Sequence, residues 1–189
     1  MTACSPRNAR VCIPKSVPSL LAGLSLALFA ALPRPALAQA ATDRAGWLIT
    51  PAAFQPVELS RSFANDRIRD ALEYPETGPV RAYDIDLDDD GQPERILVGV
   101  EKLCGAGGCP YTLLSGKTQK EIGSFFGTLI VLGRKVGGWS VVQTLGANDQ
   151  GLTGLNTYTF QRVQYQADDA VMIDEVALAA LLSSLHKKP

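Results

Sequence analysis

Three kinds of hydrophobic pattern follow one another along the chain. From Leu20 to Leu32 apolar residues run on without a charge, a block of about a dozen residues, short for a bilayer span. From Ser60 or Ser62 to about Glu73 the spacing is helical. Phe63, Ala64, Ile68, Ala71 and Leu72 fall on one half of the wheel, with Asp66, Arg69 and Glu73 opposite. Tyr74-Pro75 ends that helix, because the residue before a proline avoids helical geometry. From Val80 the period becomes two. Arg81, Tyr83, Ile85 and Leu87 alternate with Ala82, Asp84 and Asp86, and Ile96, Val98 and Val100 mark a second strand after a turn. Tyr111 to Leu114 forms a third. Leu129 to Leu132 and Trp139 to Val142 flank Gly137-Gly138, a pair suited to a tight hairpin. Leu155 to Tyr165 reads as one longer strand with Tyr158 and Phe160 on one face. Asp174 then opens a last helix with Leu178, Leu181, Leu182 and Leu185 on one side. His186, Lys187 and Lys188 follow, cations placed where a helix dipole favours them.

These elements predict an α+β fold: an antiparallel, meander-like sheet with an N-terminal and a C-terminal helix. Residues 39–58 contain Trp47-Leu48-Ile49 but also Pro51 and Pro56, and read as an irregular or partly docked N-terminal arm; residues 59–189 form a single α+β domain. Residues 1–38 read as a signal peptide. Arg7, Arg10 and Lys15 precede the apolar run, Pro33 and Pro35 break it, and Ala36-Leu37-Ala38 supplies the small-x-small site for a peptidase. Cleavage is expected after Ala38, with Ala40 the close competitor. No cysteine follows the apolar run, so a lipid anchor is not expected, and no later run is long enough to span a membrane. The expected address is periplasmic or secreted.

Composition is that of an ordinary globular protein, with 46% hydrophobic and 20% charged residues. The formal charge of −1 becomes more negative once Arg7, Arg10, Lys15 and Arg34 are cleaved away. That argues against nucleic-acid binding, which wants a basic face. Cleavage also removes Cys4 and Cys12, leaving Cys104 and Cys109, which are expected to pair in an oxidising compartment. The three glycines between them let the backbone fold back.

Asp86 to Glu94 spells D-x-D-x-D-G-x-x-E. Carboxylates at alternate positions converge on one hard cation, and Gly91 permits the sharp turn. Asp86, Asp88, Asp90 and Glu94 are the candidate side-chain ligands for calcium, and Gln92 the candidate backbone-carbonyl ligand. Position twelve of the loop is Leu97, and the flanks are strands, which excludes an EF-hand. The competing reading is a solvated turn whose aspartates cap backbone amides.

Other signals fail on their spacing. Gly116-Lys117-Thr118 ends like a phosphate-binding loop, but Tyr111 stands where the earlier glycine belongs. Gly105-Ala106-Gly107 starts like a dinucleotide fingerprint, but Pro110 takes the place of its last glycine, and there is no G-x-S-x-G elbow. Zinc would need more ligands than two cysteines and the distant His186. His186 reads as a solvated helix-end cation. Asp88 and Glu94 read as solvated, with nothing apolar nearby to raise a pKa. Phe125 and Phe126 suit core packing, with an exposed binding patch as the rival.

The acidic stretch is similar to the calcium loops of FG-GAP repeat proteins, although those repeat the motif and this chain has it once. Over roughly residues 80–145 the chain resembles small secreted bacterial proteins of uncharacterised function that join a D-x-D-x-D-G turn to a C-G-x-G-G-C loop. The resemblance implies a periplasmic or secreted β-rich domain and carries over no catalytic residue. The expected function is a non-catalytic exported module, stabilised by a disulfide and by calcium, that binds a protein or cell-envelope component. Its rivals are a cell-envelope glycan hydrolase using paired carboxylates, and an inhibitor of an exogenous hydrolase that inserts the cysteine loop.

Overall fold

The computed structural model describes residues 46–147 and 152–188. The expected signal peptide and residues 39–45 of the arm lie outside the described residues. Eight strands follow one another in a meander: β2 (Gln55–Val57), β3 (Val80–Ile85), β4 (Glu94–Val98), β5 (Cys109–Leu114), β6 (Glu121–Val136), β7 (Trp139–Ala147), β8 (Thr153–Gln161) and β9 (Gln164–Ile173). Each pairs antiparallel with the next. Two short strands lie off this path. β1 (Trp47–Ile49) pairs antiparallel with Leu129–Val131 of β6 and parallel with β10 (His186–Lys188). The helices are α1 (Phe63–Ala71) and α2 (Glu175–Ser184).

Strand β6 joins the two halves of the sheet. Its first part, to Gly127, pairs with β5, and from Thr128 it pairs with β7. At the change of partner Gly127 has φ +131°, and a Cβ there would stand 2.5 Å from the Leu145 carbonyl oxygen. Only glycine suits such a bend.

Alternation then sorts the side chains. Inward residues of both halves, among them Ile85, Ile96, Tyr111, Phe125, Leu129, Val142 and Tyr165, form one central cluster. On the outer face of the first half, Ile68 of α1 and its C-cap residue Leu72 pack against Val80, Ala82, Leu97 and Leu114. On the outer face of the second half, Leu178, Leu181 and Leu185 cover Ile130, Val141, Leu145 and Leu155. With both faces covered, the central strands are apolar on both sides. The fold is therefore β-rich and largely antiparallel, with two helices.

Several expectations are corrected. The helices are not terminal elements, since β1 and β2 precede α1 and β10 follows α2. Over its described part, residues 46–58, the arm is docked rather than irregular: Trp47–Ile49 and Gln55–Val57 are strands around a 3₁₀ turn at Pro51–Ala53, with Ile49 and Phe54 in the central core. Pro56 is tolerated because β2 is an edge strand. Asn65, Ile68 and Arg69 of α1 are buried, as is the C-cap Leu72, so Arg69 faces inward rather than out. Its guanidinium donates to the carbonyls of Pro75 at 3.1 Å and Gly78 at 2.7 Å, which fixes the loop after the helix. The long strand expected over Leu155–Tyr165 is two strands, turned at Arg162-Val163 with Arg162 at φ +60°. Leu182 faces outward, 43% exposed. Leu185 leaves helical geometry at ψ 139°, so His186–Lys188 is a strand and not a helix end.

Other expectations stand. Ser62 caps α1 by accepting from the Asn65 amide, and Asp174 caps α2 by accepting from the Ala177 amide. Gly137 and Gly138, at φ +61° and +90°, make the two-residue hairpin between β6 and β7. Among the described residues no helix is long and apolar enough to cross a membrane.

Candidate functional site

The acidic turn and the cysteine hairpin lie in the loops that join β3, β4 and β5. In the turn, Asp86 Oδ1 accepts from the Asp90 amide at 3.2 Å and its Oδ2 from the Gly91 amide at 2.9 Å. Asp88 Oδ1 shares the Asp90 amide, and Asp90 Oδ1 accepts from the Gln92 amide at 2.7 Å. Asp89 and Gly91 adopt positive φ to close the turn. Glu94 sits at its base, at the start of β4 and only 2% exposed. Its two carboxylate oxygens accept from the Leu87 amide at 2.9 Å and the Gly116 amide at 3.4 Å. Burial pushes the Glu94 carboxyl above its ordinary range against the pull of those amides, and the charge of Asp88 pushes the same way. Glu94 therefore departs from the expected solvated state, because Leu87 beside it is wholly buried in the central core.

Of the five candidate ligands, Asp86, Asp88 and Glu94 converge: one oxygen from each lies within 4.8 Å of the others. Three hard oxygens so gathered fit a calcium-sized cation. Asp90 instead pairs with Lys117, which with the Gln92 amide holds its carboxyl below the usual range. The Gln92 carbonyl is turned toward Gly116, where a Cβ would lie 2.5 Å from its oxygen. Lys135 of β6 pairs with Asp89. Two lysines thus already offset part of the turn's charge. Sequence reading missed both, since each comes from a segment remote in the chain.

The cysteines pair as expected. Cys104 and Cys109 form a disulfide, with Cα atoms 4.2 Å apart. Inside it, Gly105 and Gly108 exchange amide-to-carbonyl hydrogen bonds at 2.9 and 3.0 Å, so the loop is a miniature hairpin. Gly108, at φ +108°, lies against the Gly127 backbone so closely that a Cβ would meet it at 2.1 Å.

Beside this hairpin opens a cleft of about 550 Å³. Its floor is a cross-strand row: Arg81 pairs with Val98, and Val98 with Tyr111. Its walls are the cysteine hairpin on one side and Ile49 to Pro51 on the other, with Glu101 on the rim. Arg81 donates to the Pro51 carbonyl. Tyr111 is stacked on Phe54 with ring centroids 5.8 Å apart, and burial pushes its phenol up to about 12 despite the opposing charge of Arg81. Sequence reading did not single these residues out. The available signal was Arg81 itself, an arginine on the stripe it shares with Tyr83 and Ile85.

None of Asp86, Asp88, Asp90 or Glu94 lines this cleft. The hydrolase alternative required two carboxylates facing each other across a cleft. Here Asp86, Asp88 and Glu94 gather on one turn, outside the cleft. Of the phenylalanines, Phe125 is core, edge-on to Tyr158 and Tyr165, while Phe126 is 54% exposed. Comparison with protein-family models, with curated proteins and with solved structures finds no match.

Proposed function

We propose that this chain is an exported, non-catalytic binding module that takes a protein or cell-envelope component at the cleft beside the Cys104–Cys109 hairpin. The observation that carries this reading is the cleft: concave, largely apolar, held open by a covalent clasp on one wall and furnished with a few polar groups, as ligand sites are. The test is capture from periplasmic extract by the wild-type protein and by a Thr128→Trp variant, which fills the cleft from an exposed position. A partner held by the first and lost by the second is expected. Equal capture by both, or no reproducible partner, would overturn the reading.

Export rests on the leader pattern of residues 1–38. Intact mass of exported protein should correspond to a start at Gln39 or at Ala41; a chain still beginning at Met1 would defeat it. Calcium belongs to the same proposal as a stabilising ion, with Asp86, Asp88 and Glu94 as the residues that would hold it. It would neutralise their charge and tie β4 to the turn. The inhibitor reading draws on the exposed tip of the cysteine hairpin, Gly105-Ala106, and the same capture would report it by returning a hydrolase.

A further inference from the structure

We infer that the cleft binds a monoanionic carboxylate carried on an apolar body, gripped between the Arg81 guanidinium and the Tyr111 hydroxyl. This rests on the cleft being the binding site. Tyr111 is only 2% exposed, yet it lines the cleft, and its hydroxyl has no hydrogen-bond partner among the described residues. The ring is buried, but the hydroxyl itself keeps accessible surface at the cleft, which leaves it a donor for whatever enters there. A ligand oxygen arriving from the cleft would accept from it.

Arg81 completes the grip. A guanidinium has five N–H donors, and Arg81 uses one on the Pro51 carbonyl, the remainder having no partner among the described residues. Arg81 and Tyr111 flank Val98 in the same row of the sheet, so they stand two strands apart, about 9–10 Å between backbones. Both side chains rise on the same face, close enough for the arginine's charge to act on the phenol. A planar carboxylate matches the guanidinium fork and also accepts from a phenol.

The charge of the site selects a monoanion. Among the described residues, Arg81 and Glu101 are the charged ones lining the cleft, so one negative charge is answered and a second would face Glu101. Ile49, Val98 and the disulfide offer an apolar surface for the rest of the ligand.

The experiment is a set of ¹H–¹⁵N titrations of the oxidised protein with acetate, hexanoate and benzoate. Each is set against its own primary amide, with phenyl phosphate as the dianion. Hexanoate or benzoate should shift the amides of Gly105, Gly108 and Thr128 saturably, and acetate should do so more weakly. The neutral amides should fail, and phenyl phosphate should bind less well than benzoate. Tyr111→Phe, which keeps the ring stack on Phe54, should weaken the carboxylate by roughly tenfold. Arg81→Gln should abolish saturation. Equal shifts from acid and amide, tighter phenyl phosphate, no saturable carboxylate, or unchanged affinity in Tyr111→Phe would each overturn the inference. If Arg81→Gln loses its native spectrum, the Tyr111→Phe result decides alone. A partner captured in a cleft-dependent manner while every carboxylate stays silent would refute this inference and leave the cleft as the binding site.

Discussion

Burying a carboxylate costs free energy unless its charge is answered, and among the described residues Glu94 receives two backbone amides and no direct ion pair. Desolvation wins, so the folded protein holds a proton on Glu94 more tightly than the unfolded chain does. The stabilisation that follows is complete below the ordinary glutamate range and is lost as pH rises through the raised value of Glu94. Asp90 runs the other way. Its carboxyl is held down by Lys117 and the Gln92 amide, so its small, solvent-screened contribution is present above the ordinary aspartate range and fades as pH falls. The two windows lie on opposite sides of the ordinary carboxylate range, which makes them separable. Urea unfolding of wild type and Glu94→Gln across pH 4 to 8 should show a decline in wild-type stability with rising pH that the variant lacks, whatever its absolute stability; parallel curves would show that Glu94 does not titrate in that window. At this scale the sequence grouped Asp86, Asp88, Asp90 and Glu94 together, whereas Asp90 turns to Lys117 and the state of each carboxylate was not legible. The spacing of Asp86, Asp88 and Glu94 was visible, whereas the burial of Glu94 comes from Leu87 and from Gly116, a residue beyond the next strand. Arg81 was visible as an arginine on an inward stripe, and its meaning depended on Tyr111, which only strand pairing brings near.

Elements were legible where their stop signals were local. Ser62, Asp174 and the Gly137-Gly138 pair did as their side chains and conformational freedom dictate. The turn between β8 and β9 escaped because Arg162, not glycine or asparagine, adopts φ +60°, so the run read on as one strand. Strands β1, β2 and β10 escaped because three residues carry no period, and pairing with β6, with β3 and with each other is what makes them strands. The first part of β6 was hidden by Gly123 and Gly127, which weaken a strand locally and here let it bend. Gly127→Ala should therefore be expensive. The added methyl meets a carbonyl oxygen at 2.5 Å in a backbone region alanine avoids, so a loss of about 2 kcal/mol or more is expected in urea denaturation. A loss below about 0.5 kcal/mol would mean the bend is not confined to that residue. The cysteine hairpin is a smaller device. Closing six residues removes little unfolded-state entropy, and the Cys104→Ala/Cys109→Ala double variant should lose about 2 kcal/mol. Peptide mapping without reduction should give one linked peptide. Two alkylatable thiols in the exported protein would refute the pairing in solution.

At the scale of the whole molecule, the acidic turn is where distant parts of the chain meet. The Leu87 carbonyl accepts from the Ser140 amide of β7 at 2.8 Å, Lys117 comes from the loop between β5 and β6, and Lys135 from the far end of β6. Tyr165 of β9 lies beneath it, its hydroxyl donating to the Ser140 carbonyl at 2.7 Å and its phenol raised by burial and by the charges of Glu94 and Asp88. An ion bound there would act on the stability of the entire fold and not on one loop. The three converging oxygens favour calcium, and the lysines oppose it, since Lys117 feels the charges of Asp88 and Glu94 as well as Asp90. With few carboxylates and a resident counter-charge, affinity should fall in the weak extracellular class, with Kd of about 10⁻⁴ to 10⁻³ M. At tenfold excess over Kd, binding to the folded state alone adds about 1.4 kcal/mol, a rise in Tm of roughly 3–6 °C for a domain of this size. Magnesium should do less, because it yields its water shell reluctantly. Lys117→Gln should enlarge the calcium shift by removing the competing ammonium, and Asp88→Asn should shrink it. Melting curves in EDTA, calcium and magnesium on these three proteins, with calorimetry of calcium binding, decide the matter. Identical Tm values in all three media together with flat calorimetry, in Lys117→Gln as in wild type, would leave the lysines as the turn's only counter-ions and reduce the acidic motif to a charged hinge between strands.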